Sequence, residues 1–155
     1  MRKFSWKQIE EIVAKLSDKI KSSGFKPDYM IGITTGGLIP LALLSKELNI
    51  KNILTASALT LGSGKEKKVS VTYLPEINLA GKKVLVVDEI AETGLSLKRI
   101  KEAIAEKYNV SEIRTATLGV NKDHSSFWPD YYEIIEEGDW VKFPWEKEKF
   151  SKYVK

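Results

Sequence analysis

Apolar residues recur at helical intervals near the start of the chain. The spacing of three or four positions continues until Ser22-Ser23-Gly24 interrupts it. Ser5 and Gln8 stand at the spacing of a capping box just before the first apolar position. The pattern therefore predicts an amphipathic opening helix, whose buried stripe comprises Ile9, Ile12, Val13, Leu16 and Ile20.

Short apolar runs alternate with further helical patterns along the rest of the chain. Strands are predicted at 29–33, 53–59, 69–73, 84–87 and 112–120. One helix is predicted after the Thr34–Gly37 loop, with Pro40 in its first turn, and another carries Leu97, Ile100 and Ile104. This alternation predicts an α/β fold with a mostly parallel central sheet covered by helices on both faces. In such folds ligands bind beyond the carboxyl ends of the strands.

The segments outside this alternation differ in character. Residues 61–68, LGSGKEKK, have the composition of an exposed mobile loop. From Phe127 onward the chain gathers aromatic residues among prolines and acids, which predicts a small C-terminal tail lobe at the edge of the sheet. Trp128, Phe143 and Trp145 are interpreted as packing residues of that lobe. We expect residues 1–155 to form a single domain.

Composition excludes several classes of protein. The 155 residues contain no cysteine and one histidine, so a disulfide framework and a multi-histidine metal site are excluded. The net charge is +4, but the lysines are spread among glutamates, so we expect no nucleic-acid partner. The first residues are too charged for a signal peptide, and no apolar run reaches membrane-spanning length. A cytoplasmic protein without a membrane partner is expected.

The stretch at 84–97, VLVVDEIAETGLSL, combines a buried-looking strand with three acids. The helix start at Thr93–Ser96 would point backbone N–H groups at one spot, which suits a phosphate. Asp88 and Glu89 could accept hydrogen bonds from sugar hydroxyls or hold a hydrated divalent cation. A plainer alternative is that Glu92 only complements the helix dipole while the acid pair caps a turn. We favour a phosphorylated sugar, because clustered acids at a strand end are unfavourable without a ligand.

The same stretch resembles the phosphoribosyl pyrophosphate (PRPP) signature of the type I phosphoribosyltransferases. ITTGGLIPLALLSKEL resembles the pyrophosphate loop of that family. The resemblance implies Mg²⁺ as cofactor with Glu89 as its ligand, closure of the 61–68 loop, and a homo-oligomer, either a dimer or a tetramer. It also implies a set of PRPP-binding residues, namely Thr35, Gly36, Gly37, Asp88, Glu89, Ala91, Glu92, Thr93, Gly94, Leu95 and Ser96.

Segments of the tail, VNKDHSSFWPDYY and DWVKFPWE, resemble the base-recognition region of the 6-oxopurine subgroup, the xanthine-guanine and hypoxanthine-guanine enzymes. On that resemblance 121–155 binds the base. Lys122 would donate to the purine O6, Trp140 would stack on the ring and Val141 would contribute backbone. Glu92, Asp88 and Glu89 would be catalytic, and Glu92 would accept the proton of N7. His124 is interpreted as a surface residue.

Three features depart from the family pattern, and the first is that the 61–68 loop lacks the Ser-Tyr pair of many 6-oxopurine enzymes. Thr35 stands where bacterial relatives often carry an arginine, and Glu92 replaces the more usual aspartate. The expected function is purine salvage, in which the 5-phosphoribosyl group of PRPP passes to N9 of a 6-oxopurine and pyrophosphate leaves. An adenine phosphoribosyltransferase and a non-catalytic PRPP-binding regulator remain as alternatives. We also expect Gly94→Val to weaken PRPP binding far more than the fold.

Overall fold

A computed structural model describes residues 2–138 and 141–146. Trp140, the predicted stacking residue, lies outside the described residues. Three helices form, each starting where the sequence pattern predicts, and they are α1 (Trp6–Ser22), α2 (Leu38–Leu48) and α3 (Leu95–Lys107). The strands are β1 (Arg2–Lys3), β2 (Tyr29–Ile33), β3 (Ile53–Leu61), β4 (Lys68–Tyr73), β5 (Lys83–Ala91), β6 (Glu112–Asn121), β7 (Ile134–Glu136) and β8 (Val141–Lys142).

Six of the strands form one sheet in the order β4-β3-β2-β5-β6-β7. All neighbours pair in parallel except β3 and β4, which are antiparallel. The predicted fold class, a mostly parallel sheet flanked by helices, is confirmed. Because β2 pairs with β5 in parallel, the loops that follow these two strands meet at the same edge of the sheet.

Strand β5 is buried on both faces. Leu85 and Val87 pack into a cluster with residues of α1 and α2, whereas Val84 and Val86 pack on the opposite face with residues of α3. All four side chains are fully inaccessible to solvent. A strand covered on both faces needs apolar residues without alternation, which is what this stretch supplies.

The start of α1 is fixed as predicted. Ser5 Oγ accepts the N–H of Gln8, and the Gln8 side chain accepts the N–H of Ser5, which completes the capping box. Within the residues described, no helix is both long and apolar enough to cross a membrane.

The structure corrects the predicted boundaries of two segments. Residues 61–68 are the end of a β-hairpin, because β3 runs to Leu61, β4 starts at Lys68, and a short 3-10 turn (Gly64–Glu66) joins them. The tail is also less separate than predicted, since β7 joins the main sheet beside β6. What lies apart is a small hood formed by residues 2–4 and 141–146, in which β1 pairs with β8.

Candidate active site

Two loops at the carboxyl ends of β2 and β5 form the centre of the candidate site. The first is Thr34–Gly37, which leads into α2 and contains a cis peptide bond between Thr34 and Thr35. It packs directly on β5. A Cβ at Gly36 would lie 2.8 Å from Cδ of Glu89, and a Cβ at Gly37 would lie 2.6 Å from the carbonyl oxygen of Val87. Gly37 is therefore required for lack of space, whereas a Cβ at Gly36 would displace the Glu89 carboxyl.

The backbone of the first loop is only partly available to a ligand. The N–H of Gly37 donates to the carbonyl of Ile33 at 2.8 Å, as part of the entry into α2. Within the described part of the chain, the N–H groups of Thr35 and Gly36 have no such acceptor. A diphosphate could therefore accept hydrogen bonds from the N–H groups of Thr35 and Gly36, whereas the N–H of Gly37 already has an acceptor.

Asp88 and Glu89 are the sixth and seventh of the nine residues of β5, so they lie within the strand and not beyond its end. Burial raises the pKa of Asp88 to about 7, and the neighbouring Glu89 carboxylate adds to the increase, although the N–H of Glu89 donates to Asp88 Oδ1 at 2.8 Å. Burial also raises the pKa of Glu89, opposed by a hydrogen bond from Trp145. Neither acid forms an ion pair with a described residue. The pair is thus arranged to gain from a cation or from hydroxyl donors.

The hood approaches the acid pair through an aromatic side chain. Trp145 Nε1 donates to Glu89 Oε2 at 2.9 Å, and its ring stacks on Phe143 with centroids 4.8 Å apart and an interplanar angle of 2°. Phe143 in turn stacks on Phe4, so both segments of the hood support this contact. A small cleft separates the hood from β5, and its walls are formed by Glu89, Ile90, Glu92, Val141, Phe143 and Glu146.

The second loop turns from β5 into α3 through Glu92, Thr93 and Gly94. The N–H groups of Thr93 and Gly94 have no acceptor among the described residues, whereas that of Leu95 reaches the Thr93 hydroxyl at 3.3 Å. Free N–H groups at a helix start form an anion site when a ligand is present. Ser96 lies in the first turn of α3 and is partly exposed. Ala91, the residue before the loop, is buried.

Gly94 is required by its own backbone and by a neighbour. Its φ is +76°, and a Cβ there would lie 2.3 Å from the carbonyl oxygen of Phe127. Because that contact is with backbone of the 121–127 segment and not with open space, a valine would disturb the fold directly. A valine at Gly94 should therefore destabilise the fold as well, and the expectation that it weakens PRPP binding far more than the fold stays a prediction.

Glu92 is held by the segment that follows β6. Its Oε1 accepts the side-chain N–H of Asn121 at 3.0 Å and lies 3.2 Å from Nδ1 of His124. His124 is about half exposed, as predicted for a surface residue, yet its ring contacts the predicted proton acceptor. Glu92 also lines the cleft beneath the hood.

The predicted base-binding residues are distributed unevenly around that cleft. Val141 forms part of its wall, opposite Glu89 and Glu92. Lys122 directly follows β6 but is not a lining residue, and its Nζ pairs with Glu137 Oε1 at 2.5 Å, which raises the pKa of the lysine. The structure thus brings the acids and Val141 together, while Lys122 is engaged elsewhere.

Comparison with known proteins agrees with this geometry. The phosphoribosyl transferase domain family matches residues 5–148, which is most of the chain. The chain belongs to this family. It is 26% identical over 149 residues to the xanthine-guanine phosphoribosyltransferase of Cereibacter sphaeroides, and the alignment covers 92% of this chain and 84% of that protein.

Solved structures of phosphoribosyltransferases share the fold. The purine phosphoribosyltransferase of Pyrococcus horikoshii superposes with a TM-score of 0.82 at 29% identity, with 94% of each chain covered. The xanthine-guanine-hypoxanthine phosphoribosyltransferase of Helicobacter pylori gives a TM-score of 0.80 with 99% of each chain covered, and at 19% identity it shows the fold alone.

Two residues that contact the acids of this candidate site were given no such role by the sequence interpretation. Trp145 was assigned to packing, but its indole N–H holds Glu89. Asn121 fell within the predicted base-binding segment without a role of its own, and it holds Glu92. An asparagine at the buried end of a strand is a weak signal that a polar partner lies nearby. No sequence signal pairs the residues at positions 89 and 145, because only the pairing of β1 with β8 positions Trp145.

Proposed function

We propose that the protein is a purine salvage enzyme, which transfers the 5-phosphoribosyl group of PRPP to N9 of a 6-oxopurine and releases pyrophosphate. The observation that supports this most directly is the contact between the first loop and the acid pair of β5. Gly36 lies so close to the Glu89 carboxyl that a Cβ there would come within 2.9 Å of Oε1. A diphosphate on the first loop and a ribose on the acid pair would thus be adjacent, as they are in PRPP.

The candidate base site adjoins the ribose site. The cleft between β5 and the hood contains Glu89 and Glu92 on one wall and Val141 on the other. The cleft has a volume of only about 40 Å³. The hood would therefore have to move away from β5 before a purine could lie beside a ribose bound at Asp88 and Glu89. The curated relative from Cereibacter sphaeroides is named for xanthine and guanine, which supports a 6-oxopurine over other bases.

The chemistry follows from these positions. The purine N9 attacks C1 of the ribose as the bond from C1 to the pyrophosphate oxygen breaks, so the configuration at C1 is inverted. Positive charge develops on the ribose, and the carboxylates of Asp88 and Glu89 stabilise it. Glu92 accepts the N7 proton as N9 becomes bonded. Thr35, Gly36 and the start of α3 hold the phosphates through backbone N–H groups.

We propose Mg²⁺ as the cofactor, with Glu89 as its protein ligand. The described residues contain no cluster of three or more His, Cys, Asp or Glu side chains able to hold a metal. Mg²⁺ commonly takes one or two carboxylates and completes its shell with water and substrate phosphates. The adjacent acids Asp88 and Glu89 fit that requirement, since burial raises the pKa of both and a cation would favour their charged forms. When bound, the ion would neutralise charge on the leaving pyrophosphate.

Recognition of the base requires Lys122 to change partners. Its ammonium group now pairs with Glu137, and both side chains are largely exposed. An exposed ion pair contributes little stability, so a purine O6 can replace Glu137 at small cost. Because lysine has donors only, it matches O6 and not the 6-amino group of adenine.

The experiment is a panel of free bases with PRPP and Mg²⁺, in which nucleotide formation is followed for guanine, hypoxanthine, xanthine and adenine. We expect the 6-oxopurines to exceed adenine in kcat/KM. A preference for adenine would indicate the adenine phosphoribosyltransferase alternative. PRPP binding without turnover of any base would indicate the regulator and would refute the enzyme. The cytoplasmic location, the absence of a nucleic-acid partner, the single-domain organisation and the dimer or tetramer stay predictions.

A further inference from the structure

Asn121 is a polar side chain with no solvent access at the carboxyl end of β6. Both the nitrogen and the oxygen of its amide have partners. Nδ2 donates to Glu92 Oε1 at 3.0 Å, while Oδ1 accepts the backbone N–H groups of Asp123 at 3.0 Å and His124 at 3.2 Å. A buried amide costs stability unless its donors and acceptors are paired. Here the pairing joins Glu92 to the loop that carries Lys122.

A second ring nitrogen reaches the same carboxylate oxygen, and it is a donor in the tautomer that carries the proton on Nδ1. His124 Nδ1 lies 3.2 Å from Glu92 Oε1, and the turn that presents the ring is itself fixed by the Asn121 side chain. Both donors therefore meet Oε1, and Glu92 at the same time lines the cleft beneath the hood. This arrangement leaves the second oxygen, Oε2, as the one to face a substrate.

We infer that Asn121, assisted by His124, is the positioning residue for Glu92, and that it couples the proton acceptor to the base-recognition loop. The inference rests on the proposed function. Glutamate has one more rotatable bond than aspartate, so an unrestrained Glu92 would occupy several rotamers. Two donors on Oε1 select one of them and orient Oε2 towards the base.

Further contacts hold the segment 121–127 against the second loop, which follows β5. The N–H of Ser126 donates to the carbonyl of Thr93 at 3.0 Å, and the Phe127 carbonyl lies against Gly94. The segment 121–127 is thus attached to the second loop at Glu92, Thr93 and Gly94. Binding of a base at this segment and of a phosphate at the helix start would act on one continuous unit.

Asn121→Asp separates the two roles of the amide. A carboxylate keeps the acceptor for the two backbone N–H groups but replaces the donor that Glu92 receives. We expect kcat to fall by about tenfold to a hundredfold, because a misplaced acceptor loses alignment, while KM for PRPP changes by less than about threefold. Asn78→Asp is the matched control, since Asn78 is exposed and uses only its Oδ1, to accept the N–H of Ala80.

His124 provides a variant that avoids a buried charge. His124→Ala should lower kcat by about threefold, the effect of one partly exposed hydrogen bond, and His124→Asn should restore it because its amide can occupy the position of Nδ1. A kcat for both Asn121→Asp and His124→Ala within twofold of the Asn78→Asp control would overturn the inference.

Stability measurements test the contact independently of turnover. Adding Glu92→Gln to Asn121→Asp reverses the polarity of the pair, because the new amide can donate to the new carboxylate. We expect the double variant to regain at least half of the urea midpoint lost by Asn121→Asp alone. Additive losses would count against the contact. If the wild-type protein turned over no base, the proposed function would fail, and this cycle would still decide whether Asn121 positions Glu92.

Discussion

The two loops of the site follow the adjacent strands β2 and β5, and different interactions determine their shapes. The loop after β2 has no charged side chain, and Glu89 and the backbone of β5 fill the space around its glycines. The loop after β5 follows buried carboxyls, and its shape depends on side chains from distant segments, Asn121 and Trp145. Both loops therefore depend on contacts distant in sequence, but the first is constrained by the space around its glycines and the second by hydrogen bonds to its side chains.

This difference indicates how each loop should respond to change. A glycine substitution in the first loop acts through sterics, so its effect depends on whether the obstructing atom can move. A substitution in the second loop acts through charge and hydrogen bonding, so its effect depends on pH and on partners. Four measurements separate these responses, beginning with the one of largest expected effect.

Removing the charges of β5 that precede the second loop should nearly abolish function with little harm to the fold. Asp88→Asn combined with Glu89→Gln should lower turnover of PRPP about a thousandfold, because the carboxylates no longer stabilise positive charge on the ribose. Steady-state kinetics and a urea unfolding curve of the same sample measure the two effects. A double variant within tenfold of wild type in turnover would remove the acids from the mechanism.

The first loop should show two different steric responses. Gly37→Ala meets the carbonyl oxygens of Val87 at 2.6 Å and Ile33 at 2.7 Å, neither of which can move freely, so we expect a loss of about 2–3 kcal/mol in the free energy of unfolding. Gly36→Ala meets only the Glu89 side chain. It should cost less than about 1 kcal/mol in stability yet lower kcat/KM by displacing that carboxyl.

Chemical denaturation and kinetics on both alanine variants make this comparison. Each variant is the other's control, since the same methyl group is added one residue apart. Equal losses of stability in the two variants would contradict the assignment of Gly36 to the site and Gly37 to the scaffold.

The raised pKa of Asp88 predicts a pH-dependent stability. Since folding raises this pKa from 3.8 to about 7, the contribution of the proton-bound form is fully present below pH 4 and is lost as pH rises through 7. Asp88→Asn has no such loss. The variant should match wild type at pH 4 and exceed it by about 2 kcal/mol at pH 8, less than the whole shift implies because the residue is partly exposed.

Urea unfolding at the two pH values measures this gap. Asp18→Asn, on the exposed face of α1, is the matched control and should show no difference that grows with pH. If the Asp88→Asn curve ran parallel to wild type between pH 4 and pH 8, burial of this carboxyl in the free protein would be disproved.

The smallest expected effect concerns the loop beside β6. Lys122→Met should reduce the preference for guanine over adenine by about tenfold, because a donor to O6 is lost while adenine loses no partner. Stability should change little, since the ion pair with Glu137 is exposed. The ratio of kcat/KM values for the two bases is the measurement, and an unchanged ratio would exclude Lys122 from base recognition.

Local patterns predicted most of the scaffold. The capping box at Ser5 and Gln8, the hairpin strand at 69–73 and the unbroken apolar run of β5 all appear in the structure. Each depends on interactions within a few residues or on burial of one contiguous segment, and such interactions are encoded in neighbouring sequence positions. The bounds of β3 and β4 were missed because a polar hairpin end has the composition of a loop.

The sequence by itself determined the alternation of strands and helices, the acid pair at the end of β5 and the glycines of both loops. Tertiary structure alone decided what those residues contact. Gly94 requires space because Phe127 crosses it, Glu89 is held because β1 and β8 bring Trp145 to the site, and Glu92 is oriented by Asn121. These partners lie 29 to 56 positions apart in the chain. No periodicity links residues so distant, so only the packed fold brings them together.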